Sequence, residues 1–390
     1  MLKRKIFYFL TFNLMIFPYF EDVLCVDYNL TANLRYRLKT DTSEDIEKDA
    51  FSSLSEMRSR IGINLLTENV SGHFILQDSR MLGDLSNSSG VTGNTARTFF
   101  HQTYFIYKNK NQLFKFGRFE LALGNQRIIA KNNWNNIGRS FEGILFKRKN
   151  RFGERLLFYF PIVESIETEH DDRKDNILSG LYWKVNLSIF NEKSILEPYI
   201  INLQHQEDSL SYSMYGLRTD LNTTSISIES ELTLQSGSSI SSYLASFNLG
   251  YKPKNLEWFK NITIGTELIS GDDSKTIKLE GFSKYFGARH KHHGYYDYKM
   301  HKKYFGHNHD GLMEFNLKGN FNLFEKNNLL IAIHNFNNYD NSIQYGNELD
   351  IVLKRSINKN LSSEIGIIFY QPEIENKTLN FFYFTMTTTI

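Results

Sequence analysis

The sequence predicts an all-β chain, an antiparallel up-and-down transmembrane barrel of about eighteen strands with short periplasmic turns and longer outer loops. Three observations carry this. The first is alternation. From Asp27 to Lys39, Tyr28, Leu30, Ala32, Leu34, Tyr36 and Leu38 form one face, while Asn29, Thr31, Asn33, Arg35, Arg37 and Lys39 form the other. Only a β-strand separates residues with period two. The pattern returns at the end, where Phe382, Phe384 and Met386 alternate with Tyr383, Thr385 and Thr387. The second is that connections sort by parity, short after even strands and mostly long after odd ones. A sandwich or propeller has no reason to do this. The third is composition. Hydrophobic residues are 41%, mean hydropathy is −0.40 and prolines number five, so bulk hydropathy looks aqueous. Half of every barrel strand is polar, which produces that average, and the 32 Phe and 22 Tyr suit interfacial girdles.

The elements follow in chain order. Lys3, Arg4 and Lys5 precede a mostly apolar run from Ile6 to Phe17, too short to span a bilayer comfortably. This reads as a secretory leader, residues 1–25, cut after Cys25, with residues 26–390 as one barrel domain. The remaining chain has no cysteine and so no disulfide staple. A closed ring of hydrogen bonds replaces it. Strands are expected at 27–40, 53–66, 71–79, 96–108, 112–121, 138–148, 154–165, 178–190 and 194–207, then at 210–219, 223–235, 238–251, 260–271, 309–322, 327–336, 346–357, 360–371 and 379–390. Short polar turns sit at 108–112, 149–154, 191–194, 220–223, 325–328 and 357–360. Longer connections sit at 41–52, 81–95, 122–137, 166–177 and 271–310.

Faces can be assigned where alternation is clean. Ile226, Ile228, Leu232 and Leu234 point to lipid, against Glu229, Glu231 and Thr233. Trp183, Val185 and Leu187 oppose Lys184, Asn186 and Ser188; Met313, Phe315 and Leu317 oppose Glu314, Asn316 and Lys318; Leu349, Ile351 and Leu353 oppose Glu348, Asp350 and Lys354. Strands 112–121 and 138–148 are apolar on both faces, so their phase stays open.

Four blocks then carry a resemblance. Residues 116–147 read FGRFELALGNQRIIAKNNWNNIGRSFEGILFK. Leu76 to Arg80 reads LQDSR; Thr266-Glu267, Gly271 to Asp273 and His293 to Asp297 form a third block; His334 to Phe336 and Tyr345 to Asp350 form a fourth. In this order they resemble the alginate-export family of outer-membrane porins, with Phe119, Asn125 and Glu142 standing where that family has Gln, Asp and Asp. The resemblance implies an eighteen-stranded monomer in the outer membrane of a Gram-negative bacterium, contacting outer-membrane lipid, and the last strand, 379–390, resembles the signal read by the barrel-assembly machinery. The family resemblance also implies passive export of an acidic, alginate-like polysaccharide or passage of a small anionic solute, with no cofactor; the alternative on the same barrel is a general nutrient porin for small anions or sugars. Guanidinium groups are permanently charged and weakly hydrated, so they attract carboxylates without trapping them. Expected pore residues are Arg35, Arg37, Arg58, Arg60, Arg80, Arg118, Arg127 and Arg139, with Glu120, Glu142, Glu267, Glu348 and Asp350 as balancing acids. The plainer reading is that many lumen charges are cross-strand pairs of small effect.

Other classes fit less well. Arg289 to His301, with His307 and His309, has the residue types of a metal site, but Lys291 and Lys299 repel a cation; the expectation is a solvated outer loop that senses acid. A barrel hydrolase needs a nucleophile motif, and none stands out. Charges alternate in sign, which excludes the concentrated basic stripe of a nucleic-acid binder.

Overall fold

The structure, a computed structural model, describes residues 26–42, 51–82, 94–163, 176–189, 192–205, 210–296, 303–304, 306–373 and 378–390. The expected leader, residues 1–25, lies outside the described residues. Eighteen antiparallel strands form one closed sheet: β1 (Asp27–Thr42), β2 (Phe51–Leu66), β3 (Val70–Leu82), β4 (Asn94–Lys108), β5 (Gln112–Phe119), β6 (Phe141–Asn150), β7 (Gly153–Ile162), β8 (Ile177–Ile189), β9 (Glu192–Gln204), β10 (Tyr212–Asn222), β11 (Ile226–Gly237), β12 (Ser241–Tyr251), β13 (Phe259–Ile269), β14 (Leu312–Asn322), β15 (Asn327–Asn337), β16 (Gln344–Ser356), β17 (Leu361–Pro372) and β18 (Leu379–Thr389). Each strand pairs with its neighbours in sequence. β1 also pairs with β18, from Asn33↔Thr389 to Asp41↔Phe381, which closes the ring. Closure leaves no edge and satisfies the backbone without water, the condition for crossing lipid.

The outward face is greasy, as the alternation requires. Leu30, Ile61 and Ile264 are each more than 60% exposed. The inward face is polar on β1, β2 and β11–β16, where Arg35, Arg37, Arg58, Glu231, Glu267, Glu314, His334, Glu348 and Asp350 are buried.

The inner face of β5–β9 differs. Phe119, Phe141, Phe158, Phe160, Leu178 and Ile201 point inward and are buried. They form one cluster with Leu121, Leu123 and Ile129, which follow β5, and with Phe282, which follows β13. Residues 120–140 and the described residues of 270–311 therefore fold into the barrel, and the lumen is not an open tube. Each fully buried phenylalanine favours this by about 1.5–3 kcal/mol. The same cluster settles the phase of β5 and β6. Their apolar inner face meets protein rather than water, so both faces are apolar. It also shortens both strands relative to expectation, since the chain turns inward at Glu120 and rejoins the wall at Phe141.

Candidate functional site

The inward segment at 120–140 has no ladder for its backbone, and buried carbonyls need donors. The arginines of β1 and β2 supply them. Arg35 donates to the carbonyls of Asn133 at 2.6 Å and Asn135 at 3.1 Å. Arg58 donates to the same two at 3.2 and 3.3 Å. Arg37 donates to the Trp134 carbonyl at 2.7 Å, and its guanidinium lies 3.7 Å from the Trp134 ring. Arg60 reaches Gln77, Glu120 and the Asn133 side chain at 2.6, 3.1 and 3.0 Å.

The described residues of the second segment, 270–311, are pinned to the first and to the wall. Ala130 N–H donates to the Phe286 carbonyl and Ala288 N–H to the Gln126 carbonyl, both at 2.8 Å. Arg139 donates to the carbonyls of Phe286 and, at 3.2 Å, Tyr285. Burial, then Arg289, pushes the Arg139 pKa down to about 10. Glu348 accepts from the backbone N–H groups of Tyr295 and Tyr296 at 2.6 and 3.0 Å. This needs Gly294 at φ +77°, because a Cβ there would strike the Glu348 carboxylate. Arg127 pairs with Glu267 and, at 3.4 Å, Glu231. Lys284 bonds Glu267 and His293, both at 2.8 Å. Burial, then Lys284, pushes His293 down to about 3, so its ring is neutral: Nδ1 donates to Glu314 at 2.5 Å and Nε2 accepts from Lys284.

Among the described residues, two cavities meet at the inward segments, and a third, of about 280 Å³, shares Lys354, Glu364, Thr385 and Thr387 with the larger of them. The larger, about 460 Å³, is lined by Arg35, Arg37, Lys131, Trp134, Tyr295, Asp350 and Glu364 among others. The smaller, about 330 Å³, is lined by Arg127, Asp220, Glu229 and Glu267 among others. Lys291 and Lys318 line both, and so form the waist between them. The lining acids already have partners. Glu364 meets Lys354 at 3.1 Å and Asp350 meets His334 at 3.5 Å. Asp220 and Glu229 meet Arg218 at 3.2 and 3.4 Å. Lys131, Lys291 and Lys318 form no ion pair with a described residue; Lys318 donates to the His292 carbonyl at 3.2 Å. The charge left for a solute is positive.

Of the residues expected from sequence, Arg35, Arg37 and Asp350 line the larger cavity, and Arg127 and Glu267 line the smaller. Arg58, Arg60, Arg139, Glu120 and Glu348 sit inside the barrel but bind the inward segments. Three expectations are corrected. Arg118 and Glu142 are not in the lumen: they pair two residues from Phe116↔Ile144 and share its outward face of β5 and β6, opposite to buried Phe119 and Phe141. Arg80 also points outward, beside Asp78 at 2.7 Å on β3, because Gln77 and Ser79 take the inner face and bond the 120–140 segment. The histidine segment is not a solvated outer loop, since His292, His293, His307 and His309 are buried in the lumen. The residues that sequence reasoning passed over are Lys131, Lys291 and Lys318. Lys318 already showed on an inward face, but nothing local marked the other two.

Residues 26–372 match the family described as alginate export. No curated protein matches in sequence. Among solved structures, the chain is similar to OpdK of Pseudomonas aeruginosa with vanillate (TM-score 0.65, 9% identity, 93% of this chain and 98% of that one). It is also similar to a BenF-like porin of Pseudomonas fluorescens Pf-5 (0.64, 10%, 93% and 98%) and to OccAB4 of Acinetobacter baumannii (0.63, 9%, 95% and 100%). At such identity these likenesses establish the fold.

Proposed function

We propose that this chain, which belongs to the alginate-export family and is an outer-membrane pore, passes anionic solutes by passive diffusion, an acidic polysaccharide being the cargo its family points to. One observation carries the reading: Lys291 and Lys318 stand at the waist between the two cavities, with no acid of the described residues paired to either. Cations so placed draw carboxylates in, and the partnered acids around them keep binding weak enough for release. No cofactor or energy source enters. The decisive test is single-channel recording in planar bilayers. Anion preference that inverts in Lys291→Glu/Lys318→Glu, with block by an acidic polysaccharide, supports export. Cation preference in the unaltered protein sinks the proposal.

A second cargo has its own support. Two cavities of about 460 and 330 Å³ divided by a waist suit a small carboxylate better than an extended chain. Liposome uptake of a small monocarboxylate, without block by the polymer, favours that cargo on the same pore.

A further inference from the structure

The outward face of β6 and β7 changes character as the two strands approach their short turn. Ile144 pairs with Tyr159, Phe146 with Leu157 and Arg148 with Arg155. These residues alternate with buried Leu145, Leu156 and Phe158, so all of them face away from the lumen. The ladder ends at Asn150↔Gly153. The arginine pair therefore lies about 7 Å along the strands from that end, at 3.3–3.4 Å per residue. Apolar pairs give way to cations at this last step, as a barrel wall does where hydrocarbon gives way to headgroups. Aromatic rings mark the same level. The Arg155 guanidinium lies 4.7 Å from the ring of Trp183, its partner on β8, and that of Arg151, in the turn, lies 4.5 Å from the exposed Phe152 ring.

No described acid balances these charges. Like charges directly opposite on one face of a sheet repel. Gln112 of β5, the other cross-strand neighbour of Arg148, is neutral. The acid nearest in sequence, Glu154, takes the inner face, where Lys147 meets it at 3.0 Å. No ion pair joins Arg148, Arg151 or Arg155 to a described residue. At the opposite end of the wall, Arg118 and Arg80 each have their own acid, at 2.8 and 2.7 Å. The group that relieves the repulsion is an anion shared by neighbouring guanidinium forks, and phosphate oxygens match that geometry. At headgroup level the phosphate belongs to a lipid, and basic side chains there draw anionic lipids. Short turns face the periplasm, so the leaflet is the phospholipid one. We propose that Arg148, Arg151 and Arg155 form a headgroup site for an anionic phospholipid of the periplasmic leaflet, with Phe146 and Trp183 against its apolar end. The site lies outside the pore and is independent of what the pore carries.

The test is native mass spectrometry of the whole folded protein in detergent, given phosphatidylglycerol or phosphatidylethanolamine of identical acyl chains. Phosphatidylglycerol is expected to be held about tenfold more tightly, or better. Arg148→Gln/Arg151→Gln/Arg155→Gln is expected to erase that preference. Lys254→Gln/Lys260→Gln/Lys359→Gln removes the same charge from exposed lysines at the same end of the barrel and is expected to keep it. Heat-modifiable mobility confirms that each variant is a folded barrel; if the arginine variant does not fold, the two lipids on the unaltered protein decide alone. Three results overturn the proposal: equal retention of the two lipids, equal loss in the two variants, or tighter retention of an acidic polysaccharide than of phosphatidylglycerol by the same arginines.

Discussion

Arg58 donates to the Asn133 and Asn135 carbonyls and touches neither cavity. Arg58→Gln leaves each carbonyl with Arg35 alone, so no carbonyl is orphaned and the cost is that of the lost hydrogen bonds, about 0.5–1.5 kcal/mol each. The expected result is noisier single-channel current with unchanged ion preference. Lys291 behaves in the opposite way, forming no ion pair with a described residue and facing both cavities. Burial lowers its pKa from the ordinary 10.5. The charged form is therefore lost as pH rises through a value below the ordinary 10.5. Anion preference should fall on alkalinisation earlier than a free lysine would titrate, and Lys291→Arg should keep it. Reversal potentials measured from pH 7 to about 10 check both. A flat profile in the unaltered protein would remove Lys291 from the filter. At this scale sequence was a poor guide. Arg35 and Lys291 are both cations on polar ground, and only the fold tells that one is spent on carbonyls and the other is not.

The second inward segment shows how an element is held by a few exact fits. Gly294 sits at φ +77° against the Glu348 carboxylate, which accepts two backbone N–H groups just beyond it. Gly294→Ala adds a Cβ where that carboxylate lies and strains the backbone by about 1–3 kcal/mol. Faster hydrogen exchange across 281–296, with the strands unchanged, is the expected result; unchanged exchange would mean that Glu348 is not the latch. Strands were legible because lipid on one side and polar matter on the other impose period two over ten residues or more. β1, β11, β14 and β16 appear where alternation placed them. β5 and β6 kept their phase hidden because Phe119 and Phe141 are buried against Leu121 and Phe282 instead of facing water. Hydrophobic pattern reports the medium on each side, and here both sides are apolar. The histidine segment misled for a related reason: a polar composition fits open water and a buried ion network equally well.

At the scale of the molecule, the hydrogen-bonded ring and its filling are separate constructions. All ladders run between adjacent strands, and β1 closes on β18 without help from either inward segment. Replacing 281–296 by a short glycine–serine linker should leave a folded, heat-modifiable barrel whose conductance rises several-fold, because water then fills the vacated space. Loss of the folded form would show instead that the filling is needed to build the ring.

That separation has a consequence for how such proteins change over generations. The hoop is constrained at nearly every residue by lipid and by its neighbours, whereas the cations proposed to meet a cargo lie on two stretches of chain that cross the interior and on a single strand. Descendants can trade one passenger for another by rewriting those stretches while inheriting the hoop intact, so counting wall arginines will not tell two such lineages apart.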